Sequence, residues 1–174
     1  MKLLLAPLLL LASALIAGLY GAFHNQVSYT VSPDYFHTFK FVQFAIPEDL
    51  RNRWGAAWVG VRASWWMGAI LGVPVLLLSL RVKGAHAFIR TVLMAALTVA
   101  AVAILVGLMA LTAAVLVVGP ETVPPWIYQL GLKRDAAIRF LWAAVMHDAA
   151  YAGALIGAIA AGLIILKARR TDQG

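Results

Sequence analysis

Two histidines and one aspartate are the residues of this sequence best placed for metal binding or proton transfer. His24 directly follows the first long apolar run, and His147-Asp148 lies inside the last one. Tyr151 comes four residues after His147 and shares its face of a helix. Two histidines with a carboxylate would suit a divalent metal such as zinc, and the two histidines alone could be the axial ligands of one haem iron.

Neither interpretation has a diagnostic spacing, so the sequence leaves any cofactor unknown. His37 could join the same cluster from the segment that follows the first apolar run. The alternative is that each histidine hydrogen-bonds to the backbone around it, and we favour that structural role over a metal. Whether the protein is an enzyme stays open on these residues alone.

Two charged residues inside apolar runs are predicted to lie at the same depth. Residues 63–80 and 149–166 are uncharged, and each stretch separates a charge, Arg62 or Asp148, from a basic segment. At 1.5 Å per residue both charges lie about 27 Å from that boundary. Each is then the natural partner of the other, either as a structural ion pair at the membrane edge or as part of a site. Trp65 shares the helix face of Arg62 and could stack on its guanidinium.

The elements that carry these residues are membrane spans. The sequence is 63% hydrophobic and 12% charged, with a mean hydropathy of +0.89, whereas a soluble domain has roughly 45–50% apolar and about 25% charged residues. The net charge of +7 is concentrated at the ends of the apolar runs, which indicates contact with lipid headgroups and excludes nucleic acid as a partner. The absence of cysteine excludes disulfides, thiolate metal sites and thiol oxidoreductases.

Four apolar runs reach the length of about 20 residues that a span requires, which predicts an all-α membrane protein, a four-transmembrane-helix bundle with one domain over residues 1–174. The spans are predicted at about residues 3–22, 54–80, 87–119 and 136–166. The first is interpreted as an uncleaved anchor, because Tyr20 occupies a position where signal-peptide cleavage after Ala22 needs a small residue. The two sides of the membrane would each have seven basic residues, and the weight given to those close to the spans favours a multi-pass protein with both termini in the cytoplasm.

Residues 23–53, together with 120–135, are predicted to form an extracytoplasmic cap. Val27, Tyr29 and Val31 alternate with hydroxyl residues, which predicts a short strand, and a second strand over 39–44 could pair with it. Ser32-Pro33-Asp34 predicts the start of a short helix, and residues 46–49 predict another helix that continues into the second span. The cap residues singled out as candidates for a site are Tyr29, Asp34, Tyr35 and His37.

Small residues recur every four positions in the second span, around Gly60, and in the first, around Gly18. Such stripes let two helix backbones approach closely in lipid. Gly60 is therefore predicted to face the first span or the third, while Arg62 faces the other way.

Two segments of the chain resemble the signature of a known group of proteins. The run HNQVSYTVSPDYF at 24–36, with Phe39-Lys40-Phe41 and Gln43-Phe44 after it, and MHDAAY at 146–151 are similar to a family of bacterial four-span membrane proteins. The family is uncharacterised, so the resemblance implies the fold and the location and adds no activity.

The function that these observations favour is that of a binding or accessory protein. Its cap and a polar cluster at the outer leaflet would recognise a partner, a lipid or a small ligand. The expected partners are the lipid bilayer and either another membrane protein or a second copy of the chain. The alternative is a metal- or haem-dependent membrane enzyme or redox protein that uses His24, His147 and Asp148. A transporter is less favoured, because no charge lies near the middle of a span. The predicted outer-leaflet cluster comprises His24, Arg62, Trp65, His147, Asp148 and Tyr151.

Overall fold

The structure is a computed structural model that describes residues 1–171, and the side chains of residues 1–169. Every regular element in this part of the chain is helical. Four helices are long and apolar enough to cross a membrane, which indicates a multi-pass membrane protein. The elements in chain order are α1 (Lys2–Val31), α2 (Pro33–Tyr35), a π-helical turn (Phe36–Lys40), α3 (Phe41–Gln43), a 3₁₀ turn (Glu48–Leu50), α4 (Arg53–Ser79), α5 (Ala85–Val117), a second 3₁₀ turn (Pro120–Thr122), α6 (Pro125–Tyr128) and α7 (Arg134–Thr171).

The first helix continues to Val31, so the strand predicted over 27–31 is wrong. The hydroxyls that gave the alternating pattern are satisfied inside the helix instead. Ser28 donates to the carbonyl of His24 and Thr30 donates to that of Gln26, each one turn back along α1. Back-bonding of this kind lets Ser and Thr remain in a helix without an outside partner, and alternation alone cannot distinguish it from a strand.

The chain turns at Ser32, where the predicted helix start is confirmed. The Ser32 hydroxyl accepts a hydrogen bond from the backbone N–H of Tyr35 at 3.2 Å, and Pro33 occupies the first helical position. The helix then widens into the π-helical turn over Phe36–Lys40.

The second strand predicted over 39–44 is also wrong, because this segment is helical. Phe36 and Phe41 are five residues apart and both are completely buried. The i to i+5 hydrogen bonds of a π-helical turn bring residues at that spacing onto one face. The buried phenylalanines therefore account for the unusual turn.

The predicted helix start at 46–49 forms only a 3₁₀ turn over Glu48–Leu50. Helix α4 begins separately at Arg53, because the side chain of Asn52 caps it by accepting from the N–H groups of Trp54 and Gly55. The second span and the connecting segment are thus two elements and not one continuous helix.

The four long helices are arranged as two closely packed pairs, α1 with α4 and α5 with α7, and contacts between the pairs are fewer. Gly21 and Gly60 bring α1 and α4 together so closely that a Cβ on either residue would overlap the other's carbonyl oxygen. The small-residue face of span two therefore packs on span one, which is one of the two partners that the sequence left open. In the second pair, Gly153 and Gly157 of α7 lie against the backbone of α5 at Ala103 and Val99.

The cap packs on α7 through an aromatic core. Tyr35, Phe36 and Phe41 are buried together with Phe140 of α7, and the Tyr35 and Phe140 rings lie edge to face with centroids 5.0 Å apart. Ile127, from the connection between α5 and α7, is buried in the same core. The cap is therefore anchored to the second helix pair although its chain connects the two helices of the first.

Candidate functional site

The structure brings His24 and His147 together beneath the cap. Their ring centroids are 4.6 Å apart and the rings are nearly perpendicular, at 78°. Helix α1 supplies His24 and α7 supplies His147, so the contact links the two helix pairs. Helix α5 approaches the same point at Gly107, where a Cβ would lie 3.5 Å from Cε1 of His24.

His147 has a defined hydrogen-bond partner. Its Nε2 lies 3.1 Å from the hydroxyl oxygen of Ser28, and that hydroxyl also lies 3.3 Å from the carbonyl oxygen of His24. The Tyr35 ring stacks on His147 with centroids 5.1 Å apart, and Phe36 lies 6.4 Å away. Ser28 is fully buried, so this Ser–His contact is a packing interaction and offers no accessible nucleophile.

His24 differs from His147 because neither of its ring nitrogens has a hydrogen-bond partner in the described part of the chain. The residue is only 5% exposed. A buried polar group without a partner costs about 1–3 kcal/mol, which a purely structural histidine would avoid. The ring faces a cleft between the helix pairs, beside Tyr20 at a centroid distance of 5.6 Å.

The predicted metal and haem arrangements do not fit these positions. Among residues 1–171, no three His, Cys, Asp or Glu side chains lie close enough to hold one metal ion, so His24, His147 and Asp148 do not form the predicted ligand set. A haem iron with two axial imidazoles has metal–nitrogen bonds of about 2 Å, which places the ring centroids roughly 6 Å apart. The observed separation of 4.6 Å is too short.

The predicted pairing of Arg62 with Asp148 is wrong. The Arg62 guanidinium donates to the carbonyl of Phe44 at 2.8 Å and lies over the ring of the same residue, 5.5 Å from its centroid. It therefore stacks on Phe44 and not on Trp65. The depth estimate that paired the two charges ignored the cap, whose chain places a carbonyl and an aromatic ring within reach of Arg62.

A second cation, Lys40 at the end of the π-helical turn, lies within range of the charge of Asp148. Its ammonium lies 4.8 Å from the Phe39 ring centroid and 5.6 Å from that of Tyr35, and it donates to Oε1 of Gln43 at 3.1 Å. Burial lowers the pKa of Lys40, and the charge of Asp148 partly opposes this shift. The sequence analysis missed Lys40 as a site residue, although a single cation between Phe39 and Phe41 was a usable signal.

The remaining predicted residues divide between the cap and the cleft. His37 lies away from His147, with its Nε2 3.2 Å from the hydroxyl of Tyr29. Tyr151 lines the cleft, whereas Trp65 is exposed on the outer face of α4. Burial raises the pKa of Tyr35, with smaller contributions from Tyr151 and Asp148, so the phenol beside His147 remains neutral. The backbone carbonyl of Asp34 accepts from the Thr38 hydroxyl at 2.6 Å.

The cleft between the helix pairs has an apolar part and a polar part. The apolar part follows α1 and α4 from Tyr20 and Ser64 down to Val75. The polar part lies under the cap and includes His24, Lys40 and Tyr151. The two parts share four lining residues, which makes the cleft continuous: Tyr20, Ser64, Met67 and Ala154.

These residues give the cleft a shape and a polarity. In the described part of the chain they do not form a set of side chains arranged for catalysis. A long apolar channel ends beneath a roof of aromatic rings, beside one ammonium group and one imidazole without a partner. Such a site can bind an elongated amphiphile end to end. No protein-family model, curated protein or solved structure matches this chain.

Proposed function

We propose that this protein is a lipid-binding membrane protein whose cleft holds one hydrocarbon chain and whose cap covers the attached polar head. The observation that carries the proposal is the continuity of the cleft, apolar towards Val75 and polar at His24 and Lys40. A ligand with the same two-part character is the surrounding lipid. The proposal keeps the binding role that the sequence favours.

The dimensions of the cleft support a single acyl chain. Between Val59 in the polar part and Val75 in the apolar part, α4 rises about 24 Å. An extended chain of that length would reach from the head site past the middle of a ~30 Å hydrocarbon core.

The packing of the bundle supports entry from the side. Tight contacts bind α1 to α4 and α5 to α7, whereas contacts between the pairs are fewer. They include the His24–His147 contact and a buried cluster of Leu9, Leu76, Phe88 and Val92. A lipid chain can pass between two such pairs without breaking either close glycine contact. The second chain of a two-chain lipid would remain in the bilayer.

The location belongs to the same proposal. We place the protein in a bacterial cytoplasmic membrane, with both termini in the cytoplasm and the cap outside, on the basis of the basic residues near the span ends and the resemblance of residues 24–44 and 146–151 to a bacterial four-span family. The lipid head would then lie at the outer leaflet.

Lipid retention in native mass spectrometry tests the proposal. Ala154 lines both parts of the cleft, so Ala154→Phe should fill the junction and remove the bound lipid. Ala152 is exposed on the same helix, and Ala152→Phe is the matched control that should retain the lipid. The proposal fails if the wild-type protein carries no lipid through detergent exchange, or if both variants retain it equally.

A further inference from the structure

We propose that the lipid held in the cleft is an anionic phospholipid, recognised by its phosphodiester through Lys40 and His24. This inference rests on the proposed function, because it names the class of head that the polar part of the cleft selects. It commits to a lipid of the surrounding bilayer as the occupant. A zwitterionic or an uncharged lipid with the same chains should bind less tightly.

Lys40 supplies the charge that distinguishes these heads. Its ammonium has three N–H donors, and Gln43 accepts one of them. The rings of Tyr35 and Phe39 lie beside the ammonium and shield it from water. A charge-assisted hydrogen bond to a phosphate oxygen is stronger in such an environment than at an open surface.

His24 supplies a second hydrogen-bonding group deeper in the cleft. Both of its ring nitrogens lack a hydrogen-bond partner in the described chain, and only 5% of the residue is exposed. A neutral imidazole offers one donor and one acceptor. A lipid head can engage both, through a phosphate oxygen and through a hydroxyl of the head, and this would satisfy both ring nitrogens of His24.

The charges around the mouth of the cleft favour an anion. Lys40 lines the cleft, and Arg62 is held beside it on Phe44, another lining residue. Asp148 is the acidic residue that interacts with Lys40, and it is exposed. Among the described residues that line the polar part of the cleft, Lys40 is the one with a formal charge, and a phosphodiester would neutralise it.

Binding of matched lipids tests this selectivity. The purified protein is delipidated in detergent and titrated with phosphatidylglycerol, phosphatidylcholine and diacylglycerol that carry identical acyl chains, and bound lipid is counted by native mass spectrometry. We expect phosphatidylglycerol to bind about tenfold more tightly than diacylglycerol, which lacks the phosphate and therefore one charge-assisted hydrogen bond. Phosphatidylcholine has the same phosphodiester, but the Lys40 ammonium repels its trimethylammonium group, so it should also bind less tightly than phosphatidylglycerol. Inorganic phosphate should not compete, because it lacks the hydrocarbon chain.

Variants separate the head from the chain. Lys40→Gln should remove the preference for phosphatidylglycerol while diacylglycerol still binds, and Lys40→Arg should keep the preference. Lys133→Gln removes a charge from an exposed residue that does not line the cleft and is the matched control that should keep it. Equal binding of all three lipids by the wild-type protein would overturn the selectivity and leave the proposed function standing. Binding of none would overturn both.

Discussion

His24 and His147 are in edge-to-face contact with ring centroids 4.6 Å apart, yet they differ in hydrogen bonding. Ser28 partners Nε2 of His147, whereas neither nitrogen of His24 has a partner in the described chain. A structural role in the fold therefore accounts for His147, whose hydrogen bond with Ser28 joins α7 to α1. It does not explain His24, whose polar ring destabilises the fold where an apolar residue would not.

His24→Leu should raise the thermal stability of the protein in detergent. Leucine has a similar size and removes the buried nitrogens without partners, so we expect a gain of about 1 kcal/mol or more in the free energy of unfolding. The same variant should lose affinity for lipid, because the ligand would lose its deepest hydrogen bond. A drop in melting temperature would show that the His24 nitrogens have a partner in the folded protein.

Gly60→Ala should destabilise the first helix pair. The added Cβ would overlap the carbonyl of Gly21, and forced separation of packed elements costs about 1–3 kcal/mol. Gly162→Ala is the matched control, because a Cβ at Gly162 meets nothing within 4 Å. That change should be neutral or slightly stabilising, since alanine favours a helix over glycine by about 1 kcal/mol. Equal melting temperatures for the two variants would contradict the close contact of α1 with α4.

Arg62→Gln and Asp148→Asn should have additive effects on stability. Arg62 is held by the carbonyl and the ring of Phe44, and Asp148 interacts with Lys40, so the two side chains share no partner. Independent sites add within about 0.3–0.5 kcal/mol. Melting curves of the two single variants and the double variant check this. Recovery of stability in the double variant would show instead that Arg62 and Asp148 form the ion pair that the sequence predicted.

Reporter fusions test the orientation of the protein in the membrane. A reporter that is active only outside the cytoplasm should work after Gln129 and fail after Lys83, because these residues lie in connections at opposite ends of the helices. Each end has seven basic residues, but Lys40 lies far along the long loop, so more of those at the end that includes Lys83 lie close to a span. The reverse pattern would place the cap in the cytoplasm.

The sequence was sufficient for the parts of the fold that depend on long, periodic patterns. Apolar length predicted the four helices, and the small residues around Gly60 predicted a close contact with span one or span three. The contact of His24 with His147 followed from their positions beside the same cap. Each of these inferences uses local spacing and one physical rule.

The cap could not be predicted in the same way. Ser28 and Thr30 satisfy their hydroxyls within α1, which sequence alternation does not reveal. The π-helical turn depends on the joint burial of Phe36 and Phe41 against α7, a tertiary effect. The partners of Arg62 and Lys40 follow from that turn, so depth arithmetic along straight helices gave the wrong pair.

The selectivity for an anionic lipid should depend on pH through Lys40. Burial lowers the pKa of Lys40 from its ordinary 10.5, with Asp148 opposing the shift. Only the ammonium form carries the charge, so the preference for phosphatidylglycerol should weaken as the pH rises. Because the pKa of Lys40 is lowered, this weakening should begin at a lower pH than for a lysine with the ordinary pKa of 10.5. The phosphodiester does not titrate in this range, and Tyr35 stays neutral because burial raises its pKa.

The variant Lys40→Arg separates the titration of Lys40 from that of the two groups that face it. Those groups, Asp148 and His147, are unchanged in the variant. The arginine side chain keeps its charge to a pH of about 12 or above. Lipid binding measured from neutral to alkaline pH should therefore decline in the wild-type protein and stay level in Lys40→Arg. A wild-type preference that persists unchanged to pH 10.5, the ordinary lysine value, would exclude Lys40 as the group that selects the anionic head.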